Sequence, residues 1–180
     1  MYVGITGPLA AGKGEIVRIL KKHGFRHYGF GEMLRNELTS KNLPLTVANM
    51  AALANKLREQ HGAGYLATVL LRQFEKDAPL HAVFESIRSP AELRVLRRLP
   101  GLTLISVDAP RERRFEWLRA RGRGDEFASF EDFCAAEEKQ LEGAAHEQQL
   151  LAVMDEADIR IVNVGTLEEL QQQVEDELGL

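Results

Sequence analysis

A chain of 180 residues is long enough for one domain with a full hydrophobic core, and its 44% hydrophobic and 28% charged residues exclude disordered and membrane-embedded classes. The formal net charge of −4 gives no general reason to expect nucleic-acid binding, and the single cysteine, Cys134, excludes an intramolecular disulfide and a cysteine-only zinc site. No apolar run reaches the roughly 18 residues of a membrane span, and the first apolar run follows Met1 almost at once, so the sequence predicts no signal peptide, no membrane association and a cytoplasmic location.

Residues 2–6 are short and mostly apolar, as a buried parallel strand would be. After the glycine-rich run 7–14, Ile16, Val17, Ile19 and Leu20 recur at helical spacing until Gly24 supplies a stop. Residues 25–28 read as a second strand ending at Gly29-Phe30-Gly31, and Met33, Leu34, Glu37 and Leu38 as a helix that fades before Pro44. Thr46 is a candidate cap for a helix carrying Met50, Leu53, Ala54 and Leu57 inward, and a further helix covers 65–75. Residues 80–84 form the third strand. Ser89 and Pro90 then cap and start a helix through Arg98, and 102–107 is the clearest strand of all. Pro110 opens an arginine-rich helix with Phe115 and Leu118 on one side, and another helix starts at 129–132. Residues 159–162 are the last strand, and Thr166 with Glu169 matches a capping box for the terminal helix.

Strands alternate with helices throughout, which predicts an α/β fold with an open parallel sheet covered on both faces. Ligands of such sheets sit beyond the carboxyl ends of the strands. Gly7, residues 29–35, Glu85 to Arg88, Asp108 and residues 163–165 all fall there, so separate motifs converge on one candidate site.

Gly7-Pro-Leu-Ala-Ala-Gly-Lys13 has the spacing of a phosphate loop, G-x-x-x-x-G-K, in the required strand-to-helix context. Backbone amides of the turn and the positive end of the following helix would surround a phosphate chain, with Lys13 as the cation reaching it. Gly7, Ala10, Ala11, Gly12, Lys13, Gly14 and Glu15 are therefore the candidate nucleotide-binding residues, joined by Asn163 and Gly165 after the last strand. Gly14 stands where a Ser or Thr usually holds Mg²⁺, which shifts the metal role to Glu85 at the end of the third strand.

Six arginines lie between 111 and 123. Arg111 and Arg114 read as a solvated helix face, whereas Arg119, Arg121 and Arg123 flank glycines on a bendable segment suited to closing over a transferred group. The histidines show no metal-ligand spacing, and Cys134 reads as inert.

Gly14 and residues 29–35, Gly-Phe-Gly-Glu-Met-Leu-Arg, resemble the G-K-G and G-D-M-L-R segments of adenylate kinases, although Glu15 replaces their Thr. That resemblance implies that Arg35 grips an acceptor phosphate and that Arg88 faces both substrates; Arg58, on the Thr46 helix, reads as a second phosphate ligand or, at least as well, as a solvent-facing residue. More broadly, residues 4–13, 87–92, 109–123 and 161–170 resemble the group of phosphate-loop nucleoside monophosphate kinases and dephospho-coenzyme A kinases. The pattern is similar above all to a kinase-like branch common in archaea. The resemblance spans nearly the whole chain. It implies a three-layer phosphate-loop fold with a five-stranded parallel sheet in the order 2-3-1-4-5, and ATP with Mg²⁺. It also implies a phosphate-accepting small molecule, an acceptor-binding helical region at 31–76 and a lid at 119–145 within one domain over 1–180. Three features depart from that branch: Gly14, Glu85-Ser86 in place of Asp-Gly, and Ala136 with Lys139 where arginines are common.

The expected function is transfer of the γ-phosphoryl of ATP to a nucleoside monophosphate or related nucleotide. Lys13, Arg88, Arg119, Arg121 and Arg123 would neutralise the migrating charge. A dephospho-coenzyme A kinase is the first alternative and would need a base, for which Glu32 is the candidate. A nucleotide-binding regulator with little turnover is the second. No signal specifies an oligomeric state.

Overall fold

The computed structural model of the chain describes residues 1–122, 127–141 and 147–180. The first half contains β1 (Tyr2–Thr6), α1 (Lys13–Lys22), β2 (Arg26–Gly29), α2 (Phe30–Ser40), α3 (Val47–His61) and α4 (Tyr65–Asp77). It continues with β3 (Ala82–Glu85), α5 (Pro90–Leu96), β4 (Leu102–Asp108), α6 (Arg111–Ala120) and α7 (Phe130–Leu141). The chain ends in α8 (Leu150–Asp155), β5 (Ile159–Val162) and α9 (Leu167–Leu178).

All four strand pairings are parallel and the sheet order is β2-β3-β1-β4-β5, as the resemblance implied. The strand residues point alternately into two cores, as a covered parallel sheet requires. Val3, Ile5, Val83, Ile105 and Val107 pack with α1 and α9 on one face. Phe84, Leu102 and Leu104 pack with α2, α3, α4 and α5 on the other. Among the described residues no helix is long and apolar enough to cross a membrane.

Local chemistry sets the boundaries. The Thr46 hydroxyl accepts from the Asn49 amide, the Ser89 hydroxyl from the Ala91 amide ahead of Pro90, and Thr166 with Glu169 closes a capping box. The six-residue helix α8 was not expected, because one and a half turns with two buried residues, Leu150 and Val153, leave too little periodicity to read.

The central strand ends where three loops meet. The Thr6 hydroxyl donates to the Ile87 carbonyl at 2.8 Å, and the Ser86 and Ile87 amides both donate to the Ile5 carbonyl. The β3–α5 loop is thereby tied beside the loop that follows β1.

Candidate active site

Residues 7–12 turn from β1 into α1 through conformations that demand glycine at two positions. Gly7 has φ +139° and a Cβ there would strike the Val107 carbonyl; Gly12 has φ +111° and a Cβ there would strike the Asn163 amide group. The carbonyls of this turn are held from behind. Lys13 Nζ donates to the Gly7 and Pro8 carbonyls at 2.8 and 2.7 Å, Arg114 Nη1 to the Leu9 carbonyl at 3.1 Å, and Asn163 Nδ2 to the Ala11 carbonyl at 3.0 Å. The Glu15 and Ile16 amides make the first bonds of α1, both to the Gly12 carbonyl, and the amides before them present donors at the positive end of a helix. Burial, reinforced by the charge of Arg88, pulls the Lys13 ammonium down to about 7, against the opposing pull of Glu85.

A cleft of about 600 Å³ opens on this loop. Leu9 to Gly14 form one end, and Phe30, Leu34, Val47, Met50, Ala54 and Leu66 wall the other. Its lining carries the cations Lys13, Arg35, Arg58, Arg88 and Arg121 against one carboxylate, Glu85. A chain with net charge −4 thus concentrates positive charge in one concave site, the electrostatic setting for an anion.

Glu85 is held by His27, whose Nε2 lies 3.1 Å from Glu85 Oε2, while the Ser86 hydroxyl donates to Oε1 at 3.4 Å. Gly29 makes room for this pair, since a Cβ there would sit 3.0 Å from the imidazole. Burial pushes the Glu85 carboxyl upward, but the hydrogen bond from His27 and the charges of Lys13 and His27 outweigh it and hold it below the usual range. Nothing in sequence spacing links His27 to Glu85; the strand register, Gly29 opposite Glu85, brings them together.

The arginines divide by partner. Arg58 is buried, with Nε and Nη2 at 2.9 and 2.8 Å from Glu92 Oε1. Burial keeps the Glu92 carboxyl raised despite that charge, and its other oxygen accepts the Arg88 amide at 3.0 Å. Arg88 is half-buried and its Nη1 donates to the side-chain oxygens of Gln140 and Gln148. Burial, then the neighbouring charge of Arg58, lowers the Arg88 pKa against the opposing pull of Glu85 and Glu92. Arg35 is exposed on α2 and lines the cleft.

The reading of Arg111 and Arg114 as a solvated face is corrected. Arg114 is buried, pairs through both Nη atoms with Glu137 of α7, and donates to Ala109 and Leu9; Arg111 Nε reaches the same Glu137 at 2.7 Å. A single carboxylate on another helix pairs with both, which no local pattern announces. Arg121 lines the cleft and donates to Glu15 at 3.2 Å, and Glu15 also pairs with Arg18. Arg119 lies over the Phe115 ring at 5.9 Å. Arg123 lies outside the described residues. The Asn163 side chain is engaged by the loop itself, and Gly165 packs against the Glu169 carboxylate of the capping box.

Among the described residues no cluster of three His, Cys, Asp or Glu could form a metal cage; Mg²⁺ bound with phosphates would need only one or two carboxylates and retained waters. Glu85 and the Ser86 hydroxyl are the candidate donors. At Gly14, a Cβ would meet nothing within 4 Å, so the missing hydroxyl reflects the residue and not the space.

Sheet order, phosphate loop and flanking helices define the phosphate-loop kinase fold. TT1252 from Thermus thermophilus superposes with a TM-score of 0.63 at 20% identity over 99% of this chain and 96% of that one. Shikimate kinase from Bacteroides thetaiotaomicron superposes with a TM-score of 0.60 at 12% identity over 100% and 99%. No family model matches the chain. In sequence it is 32% identical over 176 residues to the UPF0200 protein of Methanoregula boonei, covering 97% of this chain and 93% of that one. It is 31% identical over 180 residues to the UPF0200 protein of Thermococcus kodakarensis, covering 97% and 94%. The chain belongs to the UPF0200 family, whose matched members here come from archaea.

Proposed function

We propose that this protein transfers the γ-phosphoryl group of ATP to a nucleoside monophosphate or a related nucleotide. The carrying observation is the single cleft that joins the loop around Lys13 to an apolar chamber bearing Arg35. Walls of Phe30, Leu34, Val47, Met50 and Leu66 suit the flat face of a base; a polyol acceptor would want many hydrogen-bonding side chains instead. The small-molecule kinases of the same fold support the reaction class.

In this reading the phosphate loop and Lys13 hold the β- and γ-phosphates of ATP, and Asn163 to Gly165 border its base. Arg35 holds the acceptor phosphate within the 31–76 region, with Arg58 behind it as a neutralised strut. An acceptor phosphate oxygen attacks Pγ, the bond from Pγ to the β–γ bridging oxygen breaks, and ADP leaves. A phosphate oxygen is already anionic at neutral pH, so no side chain has to remove a proton, and positioning with charge stabilisation supplies the rate. Arg88 and Arg121 neutralise the migrating group, and the 119–145 lid adds Arg119 and Arg123 as it shuts out water. Mg²⁺, when bound beside Glu85 and Ser86, supplies further charge neutralisation on the phosphates.

The test is ADP release from ATP and Mg²⁺ with a panel of ribo- and deoxynucleoside monophosphates and dephospho-coenzyme A. Acceptor-dependent release that falls by about 10²–10³ in Lys13→Ala, the usual cost of one preorganised charge, supports the reading. Turnover of dephospho-coenzyme A alone would move the acceptor chemistry to a hydroxyl and give Glu32 the role of base. ATP binding without turnover on any acceptor would favour a nucleotide-binding regulator, a reading motivated by Gly14 and by the engagement of Glu15 with Arg121.

A further inference from the structure

Two arginines that line the cleft, Arg58 and Arg88, and one that braces its phosphate loop, Arg114, have partners that differ in one decisive respect. Arg58 and Arg114 each face a buried carboxylate, Glu92 and Glu137. Arg88 faces two amides. Its Nη1 donates to Gln140 Oε1 from α7 and to Gln148 Oε1 at 2.8 Å from the segment before α8, and both glutamines are buried. Its backbone is pinned as well, the amide donating to Glu92 Oε2 at 3.0 Å and the carbonyl accepting from the Gln149 amide at 2.9 Å. Among the described residues Arg88 forms no ion pair, and its Nε and Nη2 groups make no hydrogen bond.

An amide oxygen and a carboxylate oxygen accept the same hydrogen bond with nearly the same geometry, but only the carboxylate cancels the charge. The side edge of a guanidinium, Nε with Nη2, is the fork that matches two oxygens of a phosphate. We propose that Gln140 and Gln148 are positioning residues that clamp Nη1 of Arg88 with neutral acceptors. They leave its Nε–Nη2 edge and its full charge for a phosphate chain in the cleft. Gln140 belongs to α7 and Gln148 to the residues before α8, so the clamp joins both to the loop after β3. The proposal rests on reading the cleft as a polyphosphate site, and it assigns a role to two residues that no motif in the sequence marks.

The charge-only substitution Gln140→Glu keeps the hydrogen bond and adds one negative charge beside Arg88; Gln148→Glu does the same from the other side. Titration calorimetry with inorganic tripolyphosphate and with a non-hydrolysable ATP analogue, at about 0.1 M salt, should show each variant binding about tenfold more weakly, the scale of one compensated charge. The melting temperature should stay level or rise, since an ion pair replaces a neutral bond. Gln140→Ala, which loosens the guanidinium without neutralising it, should lose less affinity than Gln140→Glu. A merely structural glutamine would give the reverse order, with Gln140→Glu conservative and Gln140→Ala damaging. Affinity within about threefold of wild type in both glutamate variants overturns the proposal. Should one glutamate variant fail to fold, the other answers the same question. Wild-type protein that binds tripolyphosphate but transfers no phosphoryl group overturns the kinase reading and leaves the clamp standing; wild-type protein that binds neither probe overturns both.

Discussion

The two ends of the cleft are built from different materials. At the phosphate-loop end the cleft is bordered by the backbone of residues 9–14 together with Lys13, and the side chains Arg114 and Asn163 brace the loop carbonyls from behind. At the other end the backbone is hidden inside α2, α3 and α4, and the ligand-facing groups are apolar side chains with Arg35 among them. A backbone-built site recognises what all nucleotides share, whereas a side-chain-built chamber is where one acceptor can be told from another. Substitutions in the chamber are the ones expected to separate this chain from kinases of the same fold.

Each end also rests on one buried arginine–carboxylate pair, and breaking these is the largest test of the contrast. Glu137→Ala and Glu92→Ala should each destabilise the protein by roughly 3–5 kcal/mol in urea titrations, because each strands a buried guanidinium. Their ligand effects should diverge. Glu137→Ala frees the arginine that supports the Leu9 carbonyl and should weaken ATP binding, while Glu92→Ala should act on the acceptor.

The next effect concerns the loop end alone. Lys13 is held near 7, against an ordinary value of 10.5. Below about pH 7 it is charged in both states, but between 7 and 10.5 the unfolded chain binds the proton and the folded one does not. Stability of the ligand-free protein should therefore rise with pH through that window, and Lys13→Met should flatten the rise. For the same reason, tripolyphosphate binding at pH 8 should draw a proton onto Lys13, read as a dependence of calorimetric heat on the ionisation enthalpy of the buffer.

Ser86 offers a smaller effect where the two ends meet. It has φ +74°, a left-handed conformation costly for any residue with a Cβ. Ser86→Gly should raise stability by roughly 1 kcal/mol, less any loss from greater freedom of the unfolded chain. Smallest of all is Gly14→Ser, which meets open space and should alter stability by no more than about 0.5 kcal/mol. Its information lies in the Mg²⁺ dependence of ATP binding, which a restored hydroxyl should steepen.

The loop end was legible in the sequence because its rules are local. Gly7, Gly12 and Lys13 stand at spacings set by one turn, and the capping residues Thr46, Ser89 and Thr166 act within three positions. The sheet order was legible only through resemblance to a family. What stayed hidden depends on contacts between distant elements. Arg114 looked solvated because its partner Glu137 lies on another helix, and His27 gave no sign of reaching Glu85 across two strands. Gln140 and Gln148 were invisible for a further reason: a neutral side chain that works by withholding charge has no signature in composition or charge pattern.

The sheet order has a consequence for how the chain is made. β1 lies at the centre, yet both of its neighbours, Ala82–Glu85 and Leu102–Asp108, come much later in the chain. At roughly 5–20 residues per second on the ribosome, the apolar strand and the unfinished loop behind it wait on the order of 5–20 s for their second partner. Val3 and Ile5 sit on a strand with two open edges until Glu85 is made and with one until Asp108 is made, an arrangement prone to pairing with another chain. A phosphate ligand can give no help then, because the Val107 carbonyl and Asn163 that shape the loop have not been synthesised. The first site to be encoded is thus among the last to exist, and nascent chains stalled before Leu102 should be the aggregating species.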